Sequence, residues 1–240
     1  NKSQASYELI QEAIQLFGDK ASKLPSHTLR TLVSLPASYK PLHIPNKTPA
    51  YRQALHYVIT ERNLTGFDIL RYHIGYCDEG PYAGMIIIPS YDSAGQLNFY
   101  YGRSFYKEGI KHKNPPVSKD IVGFESQINW KEPLTIVEGG FDAITAKRNT
   151  VPLFSKKIFG NLRSKIASQE IKKLYLCLDD DALKEALKEV EYFMNNGVEV
   201  HLIQLQGKDP NEVGYEAMTK ARLNSSPCSF MDLVKLKMTV

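Results

Sequence analysis

The sequence predicts an α/β fold, in which a parallel sheet with flanking helices is preceded by a smaller basic subdomain of mixed α+β structure. Strand-like and helical segments alternate through the last hundred residues, which is typical of parallel sheets because each crossover carries a helix. Upstream, strand-like runs at 85–89 and 96–101 flank the turn residues of 91–95 and indicate an antiparallel hairpin. A chain of 240 residues can bury the core that such a fold needs.

Each element is predicted from its local pattern. Apolar residues at helical intervals predict a helix over 5–17, and four prolines predict an extended connector over 34–50. The later elements are short helices near 50–62 and 66–73, then strands 134–137, 174–178 and 198–205, with helices over 141–148 and 182–195. The predicted segments are an N-terminal helix and connector (1–49), a basic α+β subdomain (50–130), the parallel-sheet subdomain (131–222) and a tail (223–240) with a short helix near 230–234.

Composition excludes several classes of protein. A net charge of +4 and 42% hydrophobic residues are ordinary for a globular chain, and they permit a polyanionic partner without requiring one. No apolar run is long enough to span a bilayer, and no phosphate loop of a fused helicase motor occurs. The three cysteines form no Cys-x-x-Cys pair, so we expect no zinc in this chain and a reducing, cytoplasmic location. Asn1, with no initiator methionine or signal core around it, is expected to be a truncated or processed end.

Acidic side chains follow all three strands of the predicted parallel sheet. Glu138 and Asp179 each come directly after a strand, and Asp209 lies four residues past the third. Because the carboxyl ends of parallel strands meet at one edge of a sheet, we expect these acids to lie together. Within the run from Asp179 to Asp181, strand-like alternation places the two outer side chains on the same side.

This set of carboxylates predicts a divalent-metal site that handles phosphates. Neighbouring carboxylates raise each other's pKa, and a divalent cation removes that penalty. Oxygen ligands without His or Cys favour Mg²⁺ or Mn²⁺ over zinc. Taken singly, the 179–181 run and Asp142 are equally well explained as first-turn helix acids, and Glu138 and Asp209 as turn residues. The conjunction of acids at three strand ends favours the metal site, while for Asp142 the two explanations stay equal even in this context.

A basic segment precedes the acidic half of the chain. Cations there offset the charge of a triphosphate or of a nucleic-acid strand, although charge runs are more often solvated loops. Tyr101 and Tyr106 either stack on bases or pack in the core, and His112 is either a phosphate or base contact or an exposed loop residue. Against the single acid Glu108, the segment carries Arg103, Lys107, Lys111, Lys113 and Lys119.

Three motifs together resemble the Toprim signature, which is shared by primases, type IA and type II topoisomerases and certain nucleases. They are Glu138-Gly139-Gly140-Phe141-Asp142-Ala143, Asp179-Asp180-Asp181-Ala182 and Lys208-Asp209-Pro210-Asn211-Glu212. The last motif is most similar to primases. Upstream, the chain resembles the first half of DnaG-type primase catalytic cores at Gly84-Met85-Ile86-Ile87-Ile88-Pro89, Asp92-Ser93-Ala94-Gly95-Gln96, Tyr101-Gly102-Arg103 and Lys111-His112-Lys113-Asn114-Pro115-Pro116. The layout is most similar to primases of T-even-like phages, over about residues 50–222.

The sequence departs from this family at two places. Asp180 stands where bacterial primases usually carry a glycine, which changes the local loop and keeps the outer acids. The zinc ribbon that precedes these catalytic cores has no counterpart here, so we expect it to be removed or to reside on another chain.

The resemblance implies a DNA primase catalytic core, a nucleotidyltransferase that makes short RNA primers on single-stranded DNA during replication. Its implied cofactors are two Mg²⁺ or Mn²⁺ ions, and its implied partners are single-stranded DNA, ribonucleoside triphosphates and a replicative helicase. The implied catalytic residues are Glu138, Asp179 and Asp181, the metal ligands Glu138, Asp142, Asp179, Asp181 and Asp209, and the nucleotide or template contacts Arg103, Lys111, Lys113 and Lys119. Whether Glu138 is a metal ligand or a general base stays open.

Two other functions are compatible with the same acids. A Toprim nuclease would use the metal site to add water, and a non-catalytic Toprim module would bind DNA in recombination or repair. The upstream hairpin and basic segment disfavour a stand-alone nuclease, and the complete set of acids disfavours a binding module. A topoisomerase is disfavoured because 240 residues are few for a strand-passage gate.

Overall fold

The predicted α/β class is confirmed by the computed structural model, which describes residues 33–179, 183–205 and 209–239. These residues form an antiparallel sheet followed by a parallel sheet with flanking helices. The predicted helix over 5–17 lies outside the described residues, as do Asp180, Asp181 and Lys208.

The first sheet is antiparallel and has four strands in the order β1-β2-β3-β4. These strands are β1 (Tyr39–Pro41), β2 (Gly75–Cys77), β3 (Met85–Tyr91) and β4 (Leu97–Ser104). The predicted hairpin is confirmed by β3 and β4, whose turn is closed by Asp92: its Oδ1 accepts the backbone N–H of Ala94 at 3.0 Å and of Gln96 at 2.9 Å. The three-residue strand β1 was not predicted, since it lies inside the segment 34–50 that we expected to be a connector.

Two short helices pack beside this sheet, close to their predicted positions. They are α1 (Pro49–His56), which continues as a π-helical turn over Tyr57–Glu61, and α2 (Gly66–Arg71). Thr65 begins α2 with a capping box, in which its side chain and that of Asp68 each accept the other's backbone N–H. Asn63 separates the helices in a left-handed conformation (φ 51°).

The second sheet is parallel, in the order β6-β5-β7-β8. Its strands are β5 (Leu134–Val137), β6 (Thr150–Pro152), β7 (Lys173–Cys177) and β8 (Glu199–Leu202). Three of them confirm the predicted strands, and the short edge strand β6 was not predicted.

Five helices accompany the parallel sheet in the described residues. They are α3 (Gly140–Ala146), α4 (Gly160–Ser168), α5 (Leu183–Asn195), α6 (Pro210–Asn224) and α7 (Phe230–Thr239). Helix α6 is interrupted at Gly214, whose φ of 83° is outside the helical region. In the described part of the chain, none of the helices has the length and apolar character that a membrane span requires.

One hydrophobic cluster contains residues of both sheets, including Phe99 of β4 and Val137 of β5. Phe99 of β4 stacks on Phe154, which follows β6, with ring centroids 4.8 Å apart. Tyr57 of the first half meets Phe141 of α3 edge to face at 6.2 Å. Both contacts cross from one half to the other, so the first turn of α3 and the loop after β6 lie directly beside β4.

The basic segment folds back along β4 and runs beside it. The backbone N–H of Ser104 donates to the Lys111 carbonyl, and that of Lys113 to the Gly102 carbonyl, each at 3.0 Å. This return brings the Lys113 carbonyl against the α-carbon of Gly102, where a side-chain Cβ would overlap it. A glycine is therefore required at position 102.

We predict that Gly102→Ala destabilises the protein by roughly 1 to 3 kcal/mol, because the new methyl group must displace the returning backbone. The matched control is Gly66→Ala at the start of α2, where a Cβ meets nothing within 4 Å and is expected to be neutral or slightly stabilising. Urea unfolding of both variants measures the difference. Equal stabilities for the two variants would contradict the close approach at Gly102.

Candidate metal and nucleotide site

The carboxyl edge of the parallel sheet carries Glu138 and Asp179. Glu138 follows β5, and Asp179 lies two residues past the neighbouring strand β7. The backbone N–H of Asp179 donates to Glu138 Oε1 at 3.1 Å. The carbonyl of Glu138 accepts the backbone N–H of Phe154, just past β6, at 2.8 Å. The loops after three adjacent strands therefore meet at Glu138.

Asp142 lies in the first turn of α3 and is buried. Its Oδ2 accepts the backbone N–H of Gly139 at 2.9 Å, and its Oδ1 accepts that of Asn211 at 3.3 Å. A Cβ at Gly139 would overlap the Asp142 carboxylate, which explains a glycine directly after Glu138. Both carboxylate oxygens are thus oriented by backbone groups from two different elements.

The charge of Asp142 is opposed by its surroundings. Burial, and then the negative charges of Asp209 and Asp179, raise the pKa of Asp142 to about 7. The backbone hydrogen bonds from Asn211 and Gly139 oppose this rise and only partly offset it. Asp209 is positioned as the N-cap of α6, where its Oδ1 accepts the backbone N–H of Glu212 at 2.7 Å. The fold therefore concentrates like charges around a buried acid.

Four of the five predicted metal ligands lie after β5 and β7 or at the N-termini of α3 and α6, and the fifth, Asp181, lies outside the described residues. Asp142 is within electrostatic reach of Asp179 and Asp209, and Glu138 contacts the Asp179 backbone. Over 33–179, 183–205 and 209–239, no three His, Cys, Asp or Glu side chains converge into a complete metal site. The donor set present is all carboxylate oxygen, which fits a hard divalent cation such as Mg²⁺ or Mn²⁺.

A hydrogen-bonded pair that sequence reasoning missed ties the acidic edge to the first half of the chain. Asn211 Oδ1 accepts from Arg62 at 2.9 Å, and its Nδ2 donates to the Arg62 carbonyl at 3.0 Å and to Thr145 Oγ1 at 2.8 Å. The Arg62 guanidinium lies 4.8 Å from the Phe141 ring centroid and donates to Tyr57 Oη. Asn211 belongs to the motif Lys208–Glu212, whereas nothing in the sequence singles out Arg62.

Three of the predicted basic contacts, Arg103, Lys111 and Lys119, act electrostatically on His112. Burial and then the charges of Arg103, Arg62, Lys111 and Lys119 lower the pKa of His112 to about 4. The guanidinium of Arg103 contacts His112 Nε2 directly. The predicted contact Lys113 is engaged elsewhere, since its Nζ donates to the Pro81 carbonyl at 2.5 Å and lies 5.0 Å from the Tyr82 ring centroid.

Tyr101 connects this basic cluster to the acidic edge. Its ring stacks on Phe154 with centroids 6.0 Å apart and meets Phe141 edge to face at 6.2 Å. Its hydroxyl lies 2.8 Å from His112 Nδ1. The Tyr101 ring therefore packs in the core, which is one of the two roles predicted for it. Its hydroxyl lies beside His112.

One cavity in the described residues lies apart from these groups. It has a volume of about 390 Å³ and lies at the turn end of the β3–β4 hairpin, where its lining includes Arg71, His73, Tyr91 and Gln127. None of the predicted acids or cations lines it.

The fold defined by these elements is that of a primase catalytic core, as comparison with solved structures shows. One similar structure is a DnaG primase catalytic domain bound to single-stranded DNA, with a TM-score of 0.62, 17% identity and coverage of 75% of this chain and 76% of that one. Another is the E. coli primase catalytic core, with a TM-score of 0.62, 16% identity and coverage of 80% and 78%.

A third similar structure holds the zinc-binding and RNA polymerase domains of the Aquifex aeolicus primase, with a TM-score of 0.62 and 19% identity. The match covers 76% of this chain and 57% of that one. No protein-family model and no curated protein matches the sequence.

We predict that Asp209→Asn stabilises the metal-free protein by roughly 1 kcal/mol at pH 8, because it removes a charge that opposes Asp142 while the amide still caps α6. The pKa of Asp142 is about 7 in the folded protein and 3.8 without these influences. Between these two pH values the folded state binds more protons than the unfolded state, so the free energy of unfolding falls as the pH rises from about 4 to about 7. In Asp209→Asn, the free energy of unfolding should decrease less with rising pH than in the wild type. Urea unfolding in the presence of EDTA at several pH values measures the difference.

The matched control is Asp232→Asn. That carboxylate accepts hydrogen bonds from the Ser229 hydroxyl and backbone N–H, which lower its pKa, so its loss should destabilise the protein slightly. Lower stability of Asp209→Asn at pH 8 would contradict the repulsion.

Proposed function

We propose that this chain is the catalytic core of a DNA primase, which joins ribonucleotides into short primers on a single-stranded DNA template. The observation that carries the proposal is that Tyr101 packs against Phe141 and Phe154 beside the acidic edge, while its hydroxyl contacts His112, which Arg103 also contacts. Acidic and basic side chains therefore lie on either side of Tyr101. A polymerase of nucleotides needs both kinds of charge, because carboxylates hold metal ions and cations hold phosphates.

The comparisons support this proposal through the fold. Primase catalytic cores share the architecture at 16–19% identity, and one of them was solved with single-stranded DNA. The arrangement of Glu138, Asp142, Asp179 and Asp209 supplies the chemical argument that fold similarity alone lacks. A likeness to primases of T-even-like phages and a replicative helicase partner belong to the same proposal and come from the sequence resemblance.

The acidic edge would hold the divalent ions. Glu138, Asp142, Asp179, Asp181 and Asp209 are the proposed ligands of Mg²⁺ or Mn²⁺, two ions in all. When bound, such ions lower the pKa of the attacking hydroxyl and stabilise charge on the leaving oxygen. Asp142 is oriented for this task by backbone N–H groups rather than by flexible side chains.

The remaining residues would bind and orient the reactants. In the proposed reaction the 3′-hydroxyl of one nucleotide attacks the α-phosphate of the next, and pyrophosphate leaves. Arg103, Lys111 and Lys119 offset the phosphate charge of triphosphate and template. Glu138 is either a metal ligand or the base that accepts the hydroxyl proton. Lys113 would join them only after leaving the Pro81 carbonyl.

Primer synthesis tests the proposal. The full chain is incubated with single-stranded DNA, labelled ribonucleotides and Mg²⁺ or Mn²⁺, and we expect template-dependent oligoribonucleotides. Asp179→Asn should lower the rate at least about 100-fold, because it weakens charge stabilisation in the transition state. Glu216→Gln, an exposed acid on α6, is the matched control and should leave the rate unchanged. Cleavage of the DNA without synthesis would favour the nuclease, and binding without either reaction the non-catalytic module.

Template binding should depend on Lys111. For single-stranded DNA, each lost phosphate contact reduces the slope of log K against log salt concentration by about 0.7, so Lys111→Ala should lower the slope by about that amount. The control is Lys188→Ala on the exposed side of α5, with the same change in net charge. Fluorescence anisotropy across a salt series measures both variants, and identical slopes would remove Lys111 from the template contacts.

A further inference from the structure

Tyr101, His112 and Arg103 form a closed contact beside the acidic edge. Tyr101 Oη lies 2.8 Å from His112 Nδ1, and the Arg103 guanidinium contacts His112 Nε2. The backbones of Arg103 and His112 also pair as an antiparallel bridge. Both ring nitrogens of His112 are therefore engaged.

The guanidinium of Arg103 fixes which nitrogen of His112 carries the proton. Arginine has donors and no acceptor, so Nε2 must accept the hydrogen bond. A neutral imidazole then has its proton on Nδ1, which donates to Tyr101 Oη. His112 is neutral at pH 7, since burial and the surrounding cations lower its pKa to about 4. The hydroxyl proton of Tyr101 is therefore not used in this contact.

The packing of Tyr101 places its ring at the acidic edge. The ring is held between Phe154 and Phe141, and a Cβ on Gly140 would lie 3.5 Å from it, so it lies over the loop that follows Glu138. Burial raises the pKa of Tyr101 to about 12, with Asp142 adding to the effect. A tyrosine hydroxyl is protonated at neutral pH even at its ordinary pKa, so this hydroxyl has a donor to offer.

We propose that His112 is a positioning residue that makes the Tyr101 hydroxyl a hydrogen-bond donor, and that Tyr101 and Arg103 together bind a phosphate group of the incoming nucleotide. The inference rests on the proposed function and names the phosphate contacts of that same site. Among the described residues, no carboxylate forms an ion pair with Arg103. A phosphate supplies the anionic oxygens that a guanidinium and a hydroxyl both bind well.

The tautomer of His112 is tested in the wild-type protein without any reaction. A two-bond ¹H–¹⁵N NMR spectrum at pH 7.5, with His112→Asn used to assign the resonance, should show a protonated Nδ1 and an unprotonated Nε2. A protonated Nε2 would overturn the inference, because the Tyr101 proton would then be needed to bond Nδ1.

Phosphate binding is tested with inorganic pyrophosphate in Mg²⁺ by calorimetry on the full chain. Tyr101→Phe keeps the stacked ring and loses only the hydroxyl, and we expect about tenfold weaker binding. His112→Phe should weaken binding to a similar extent, and His112→Asn should recover part of it. The matched control is Tyr192→Phe, an exposed tyrosine on α5, which should bind like the wild type.

Two outcomes of the binding measurement would overturn the inference. These are binding by Tyr101→Phe within twofold of the wild type, and wild-type protein that does not bind pyrophosphate. Failure of the proposed function gives a different pattern. In that case no primers are made, although His112 carries its proton on Nδ1 and the variants Tyr101→Phe and His112→Phe bind pyrophosphate more weakly, as expected. That result would keep the phosphate site and reject the primase.

Discussion

The repulsion among carboxylates at the edge of the parallel sheet is the constraint on which the rest of the site depends. Asp142 is buried, and Asp179 and Asp209 further disfavour its charge. Bringing several carboxylates together in a fold costs free energy because their charges repel, and a divalent cation would remove that repulsion by binding between them. The backbone N–H groups of Gly139 and Asn211 hold the carboxylate in place. In the proposed function, this carboxylate would be held ready for a cation by the backbone groups that orient it.

The first half of the chain completes the site by packing rather than by a flexible loop. Phe99 and Tyr101 of β4 stack on Phe154, and Arg62 reaches Asn211 beside Asp142. These contacts fix the distance between the acidic edge and the cations around His112. In the proposed phosphoryl transfer, metal and phosphate must be held together, and this packed junction would hold the two halves in one arrangement for that purpose.

Much of the fold and of the acidic set could be predicted from the sequence, because buried strands and the acids that follow them leave local patterns. The short strands could not be predicted: β6 has three residues and ends at Pro152, and it forms only because β5 lies beside it. Helix α6 was hidden by Gly214, which interrupts its pattern. Arg62 and the His112 contacts depend on residues far apart in the chain, and only tertiary packing brings them together.

The most direct measurement of the central claim is Mn²⁺ binding by electron paramagnetic resonance. If the carboxylates form a divalent-metal site, addition of the protein should remove the signal of free Mn²⁺ with a stoichiometry of one or two ions per chain, and Mg²⁺ should restore it by competition. K⁺ at matched ionic strength should not restore it. An unchanged free Mn²⁺ signal, or equal displacement by K⁺, would contradict the metal site and with it the proposed chemistry.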